Sequence, residues 1–138
     1  MKGSKDTQQV EGSCLCNRIG FRITGTFEGF FLCHCKRCQK DSGSAHAANL
    51  FSQRATIEWL SGSSNVQTYN LPNTRHSRSF CKTCGSALPN LQGELLVVPA
   101  GSLDSAPSIK PNAHIYCKNK AHWDEALEKV PRFDELPQ

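Results

Sequence analysis

Three of the eight cysteines in this 138-residue chain fall within six positions, in Cys33-His34-Cys35-Lys36-Arg37-Cys38. In extended backbone, residues two apart point to the same side, so Cys33 and Cys35 converge, and a tight turn through Lys36 and Arg37 brings Cys38 to join them. Thiolates gathered in this way repel unless a soft cation lies between them. Zinc meets that need, since it takes sulfur and nitrogen ligands in a tetrahedron and has no redox chemistry of its own. Three thiols leave one of the four positions unfilled, and an open position separates catalytic from structural zinc.

Four further cysteines form two pairs, Cys14-Leu15-Cys16 and Cys81-Lys82-Thr83-Cys84-Gly85. The second reads as a zinc knuckle, a turn that aims two sulfurs at one ion, with glycine relieving the backbone on exit. Joined, the pairs make a four-cysteine set that ties the N-terminal strand to the middle of the chain, with the metal's binding energy counted in folding. Spacing also permits Cys33 or Cys35 to join the knuckle, and does not decide between the two partitions. Cys117, His34, His46 or His114 is a candidate fourth ligand that would close the trio. Disulfides fit poorly, because neighbours two apart do not bridge comfortably.

The length corresponds to one domain with a modest core. Only 38% of the residues are hydrophobic, and metal clips compensate for a small core. The net charge of +4, from 16 basic and 12 acidic residues, is scattered and too weak to imply nucleic acid. Residues 1–11 are polar, with no apolar run of a signal peptide, and nothing approaches the roughly 20 apolar residues of a membrane span. The expected location is the cytoplasm, where spaced cysteines read as metal ligands.

Along the chain, residues 1–11 read as a flexible lead-in, 12–130 as a single zinc-binding domain and 131–138 as a tail. Ile19, Phe21 and Ile23 alternate with Gly20, Arg22 and Thr24 as a half-buried strand. Short strands are expected near 30–32, 45–51, 57–60, 66–71, 75–80, 95–98 and 113–117. Residues 36–42 suit one or two helical turns stopped by Gly43. A second short helix is expected over 122–130, with Trp123, Leu127 and Val130 on one face. The sum is a mainly β chain of several small coiled antiparallel sheets, pinned by metal and with little helix.

Several motifs, in order from Gly12 to Trp123, resemble the glutathione-dependent formaldehyde-activating enzyme family, which also contains centromere protein V. They are Gly12-Ser13-Cys14-Leu15-Cys16, the Cys33–Cys38 stretch with Ser42-Gly43-Ser44, and Arg78-Ser79-Phe80-Cys81-Lys82-Thr83-Cys84-Gly85-Ser86. Ala100-Gly101-Ser102-Leu103-Asp104 and His114-Ile115-Tyr116 with Lys120 and Trp123 complete the series. The resemblance implies a coiled-sheet zinc-binding fold with two Zn²⁺ per chain. It implies structural zinc on Cys14, Cys16, Cys81 and Cys84, and catalytic zinc on Cys33, Cys35 and Cys38. The implied activity is that of a carbon–sulfur lyase, which adds the thiol of glutathione to formaldehyde to give S-hydroxymethylglutathione. His46 and Cys117 depart from the family pattern, standing where an aromatic and an aliphatic or small residue are usual.

A three-thiolate centre is better suited to activating a bound thiol than to polarising a carbonyl, so the expected partners are a small thiol such as glutathione and a small aldehyde. Lys36, Arg37, Lys40, Arg75 and Arg78 are candidates to hold the thiol's carboxylates. His34 is expected to face away from the ligands, and Tyr116 and Trp123 to serve in core packing. The competing functions are a zinc-stabilised binding module and a thiol-based redox sensor.

Overall fold

The structure, a computed structural model, describes residues 8–137. Residues 1–7 of the expected lead-in and the last residue of the expected tail lie outside the described residues. Among the described residues, eleven strands form three small sheets.

The first sheet joins β1 (Gln9–Ser13), β2 (Gly20–Thr24) and β5 (Thr56–Ser61), with β2 central and both pairings antiparallel. The alternation in β2 sends Phe21 and Ile23 into the core and leaves Arg22 on the outer face. Arg22 bonds Glu11 at 2.9 Å and lies 3.6 Å from Glu58, one partner on each neighbouring strand. β1 takes in Gln9, Val10 and Glu11, residues expected to belong to the lead-in. Gly12 fits there because a Cβ would lie 2.2 Å from the Phe21 ring and 2.4 Å from the Ser102 carbonyl.

The second sheet has five strands in the order β11 (Ala113–Ile115), β3 (Gly29–Cys33), β4 (Ala47–Ser52), β10 (Leu95–Pro99) and β9 (Asn90–Gln92). All its pairings are antiparallel except β11 with β3. The third sheet joins β6 (Val66–Asn70), β7 (Ser77–Cys81) and β8 (Ala87–Leu88). Ile19, Phe21, Ile23, Leu50, Leu88, Leu96 and Val98 are almost wholly buried and join the sheets in one core. Trp59 closes on Phe21 edge-to-face, with ring centroids 5.8 Å apart. Burying each of the large side chains is worth about 1.5–3 kcal/mol.

The single α-helix among the described residues, α1 (Lys36–Ser42), lies where the sequence places it, and Gly43 ends it in the left-handed region at φ 66°. Residues 122–130 do not form the expected α-helix. They hold only a 3₁₀ turn at Leu127–Lys129, entered through Ala126 at φ 52°. Trp123, Leu127 and Val130 stay exposed, so little burial offsets the cost of starting so short a helix. None of the described helices is long and apolar enough to cross a membrane.

Candidate functional site

The two cysteine groups occupy separate places. Cys14 and Cys16 lie in the turn from β1 to β2, where Asn17 adopts φ 66°. Cys81 ends β7, and Cys84 follows in a turn that Gly85 leaves at φ 78°. All four sulfurs lie within 4.8 Å of one another, with Cys16 Sγ 3.6 Å from Cys14 Sγ and 3.8 Å from Cys81 Sγ. A tetrahedral ion with metal–sulfur bonds of about 2.3 Å sets its sulfurs about 3.8 Å apart, so the group fits zinc. Backbone amides supply the charge compensation. Ile19 N–H points at Cys14 Sγ (3.3 Å), and Thr83 and Cys84 N–H at Cys81 Sγ (3.4 and 3.5 Å). Asn65 Nδ2 donates to Cys81 Sγ at 3.2 Å. The Ser86 hydroxyl, 3.2 Å from Cys84 Sγ, is the largest influence bringing that thiol down to about 5.

Cys33, Cys35 and Cys38 form the second group, again with all sulfurs within 4.8 Å of one another. Each comes from a different local structure. Cys33 ends β3, Cys35 caps the N-terminus of α1, and Cys38 sits in the first turn of the helix. Gln39 holds this corner by donating to the His34 carbonyl (2.7 Å) and the Asn119 carbonyl (2.9 Å). Burial pushes the Cys33 and Cys38 thiols up. Burial acts on Cys35 too, but the Cys38 N–H directed at its sulfur (3.4 Å) and bonds from neighbouring thiols outweigh it, and Cys35 is brought down.

Among the described residues, no fourth His, Cys, Asp or Glu donor lies within 4.8 Å of all three of these sulfurs. Cys117 lies in a different cavity, and His46 reaches the edge of both without joining the trio. The trio borders a cavity of about 810 Å³, a size that accommodates a tripeptide-sized ligand. Lys36, Arg37, Arg75 and Arg78 line it, whereas Lys40 does not. Tyr116 lines the cavity too and is exposed rather than part of the core, as is Trp123, which stands outside it.

Sequence reasoning missed one pair in this cavity. His76 Nε2 and Asp41 Oδ2 are 2.5 Å apart, joining the loop before β7 to α1. The two residues are 35 positions apart, and no spacing signal connects them.

A β scaffold with one four-thiol and one three-thiol group, the latter facing a basic cavity, defines a small protein equipped to bind metal ions. The sequence model of the glutathione-dependent formaldehyde-activating enzyme family matches residues 9–119. The chain belongs to that family, which associates it with formaldehyde-activating chemistry in general. The fold is similar to the crystal structure of a Rhodobacter sphaeroides protein, at 18% identity and a TM-score of 0.52, over 75% of this chain and 98% of the other. No protein of curated function matches the sequence.

Proposed function

We propose that the chain is a zinc-dependent carbon–sulfur lyase that joins the thiol of glutathione, or a similar small thiol, to formaldehyde, or runs the reverse reaction. The observation that carries this reading is the group of three sulfurs beside a large basic cavity, with no fourth protein donor among the described residues within ligand spacing of all three. Cys14, Cys16, Cys81 and Cys84 would hold one zinc ion for structure, and Cys33, Cys35 and Cys38 a second. Zinc at the trio would lower the pKa of an incoming thiol, supplying thiolate at neutral pH.

The protein's own residues have three tasks. Lys36, Arg37, Arg75 and Arg78 meet a ligand bearing two carboxylates, and the guanidinium groups suit bidentate pairing. Burial of Cys33 and Cys38 limits water at two of the three sulfurs, while Cys35 is partly open to the cavity. His76 carries the proton. Asp41 occupies its Nε2 side and fixes the ring, leaving Nδ1 for transfer, the division of labour seen wherever a carboxylate orients a catalytic histidine. In the synthetic direction a sulfur–carbon bond forms, the carbonyl π pair moves to oxygen, and the thiol proton reaches that oxygen by way of His76.

The test is direct. Zinc-loaded protein is mixed with glutathione and ¹³C-formaldehyde, and the S-hydroxymethyl carbon is followed by exchange NMR. Catalysed exchange above the spontaneous rate, lost in Cys35→Ala, supports the reading. An exchange rate equal to that of buffer would sink it.

A further inference from the structure

Tyr116 holds a backbone conformation that its own surroundings do not account for. It sits at φ 57° and ψ 39°, in the left-handed region. Among the described residues, three other non-glycine positions share a positive φ, Asn17, Asn73 and Ala126. Asparagine tolerates that region through its short polar side chain, and alanine carries only a Cβ. A bulky aromatic there is a genuine outlier.

Such a residue persists only where other interactions outweigh its strain. Burial is not one of them, since Tyr116 is 58% exposed. Capping is not either, because Tyr116 precedes the 3₁₀ turn at Cys117–Asn119 without a capping bond from its side chain. Asn119 N–H donates to the Tyr116 carbonyl at 3.0 Å, but glycine would accept that bond equally well. The free protein therefore gives no reason for a tyrosine at a position that suits glycine.

Its placement supplies the reason. β11 runs parallel to β3 with Ile115 opposite Cys33, and His34 N–H donates to the Ile115 carbonyl at 2.9 Å. Tyr116 follows at once. Three residues on, the Asn119 carbonyl accepts from Gln39 of α1, the same side chain that bonds the His34 carbonyl. The turn is thus fastened at both ends to the strand–helix corner that carries Cys33, Cys35 and Cys38, and Tyr116 lines the same cavity as those three.

We propose that Tyr116 is a specificity-determining residue, whose ring takes the peptide body of a thiol bound at the trio, so that the site selects peptide thiols over small thiols lacking that body. This rests on the lyase reading and adds to it the residue that discriminates. A ring face suits the flat, partly apolar surface of a planar amide, and a bound peptide would cover the ring area now open to water. Arg75 and Arg78 can hold carboxylates, but charge alone does not separate a tripeptide from a short carboxylated thiol. A ring fixed in advance also spares the ordering that a mobile side chain would undergo on binding, which is what the strained turn provides.

Tyr116→Gly removes strain and ring together, so stability and affinity should part company. Zinc-loaded full-length protein is titrated by calorimetry with glutathione and, separately, with 2-mercaptoethanol, and its melting temperature is recorded. Tyr116→Gly and Tyr116→Asn should each weaken glutathione roughly tenfold and leave 2-mercaptoethanol within about twofold. Both variants should melt at or a few degrees above wild type, since both residues accept the left-handed turn. Tyr116→Phe keeps the ring and should match wild type with both thiols. Unchanged glutathione affinity in the glycine and asparagine variants, an equal loss for the two thiols, or a clearly lower melting temperature in both variants would overturn the proposal. Wild-type protein that binds glutathione through Tyr116 yet catalyses no exchange would sink the lyase reading alone, and wild-type protein that binds no glutathione would sink both.

Discussion

The two thiol groups are built from one residue type and differ in what surrounds them. Cys14, Cys16, Cys81 and Cys84 join two distant hairpins, receive amide and hydroxyl donors, and bring four sulfurs within ligand spacing of one another. Cys33, Cys35 and Cys38 come from one strand–helix corner, supply three sulfurs, and face a basic cavity. The long loop closed by the first group is worth most to folding. The local loop closed by the second is worth less, because a short segment loses little entropy when tied. On the proposed reading, ligand number and sequence separation, rather than ligand chemistry, would divide structural from reactive metal.

The largest expected effect distinguishes the groups by stability. Cys81 is wholly buried, and Cys81→Ser should abolish cooperative unfolding altogether, since structural zinc contributes apparent binding energies of about 10–16 kcal/mol. Cys35→Ala should leave the melting transition in place while removing thiol–aldehyde exchange. Thermal circular dichroism alongside the exchange assay reads both, and equal losses of stability in the two variants would erase the distinction.

Next in size is the proton carrier. His76→Asn should lower kcat by about 10²–10⁴-fold with little change in KM, and Asp41→Asn by less. Steady-state kinetics over a range of pH separates this from a latch between α1 and β7, which would alter the melting temperature instead. A smaller effect belongs to the cavity cations. Replacing Arg75 or Arg78 with Ala should raise KM for glutathione several-fold each and leave kcat nearly unchanged, as expected for uniform binding.

The smallest effect concerns the metal-stripped protein. Cys84, brought down to about 5, is thiolate at neutral pH, and it and the lowered Cys35 should alkylate before the raised Cys33 and Cys38. Raising the pH through the ordinary thiol range should ionise the slower pair and narrow the gap. Peptide mass spectrometry after timed iodoacetamide treatment gives the order. Ser86→Ala, which removes the hydroxyl beside Cys84, should slow that residue selectively.

Much of this was legible before any coordinates. Alternation marked β2, the cysteine spacings marked the trio and the two pairs without deciding how they divide, and Gly43 marked the end of α1, because each is a local pattern with a local cause. β1 was hidden because Gln9 and Glu11 are polar and only Val10 on its first turn of register signals burial, the strand being held by pairing with β2. β8 and β9 are two and three residues long, too short for any period to show. The helix expected at 122–130 failed because spacing of Trp123, Leu127 and Val130 describes a face but cannot supply a surface to cover it. Tyr116 reaches the cavity of the trio only because β11 flanks β3, and Asp41 meets His76 only because α1 lies beside the loop before β7. Convergence of that kind is a property of sheet order, which no single stretch encodes.

The most direct test is a crystal structure of the zinc-loaded chain with glutathione. The account predicts four cysteine sulfurs on one ion, and on the other Cys33, Cys35 and Cys38 with the glutathione sulfur as the remaining ligand. A fourth ligand drawn from the protein at that second ion, with glutathione elsewhere or absent, would contradict it.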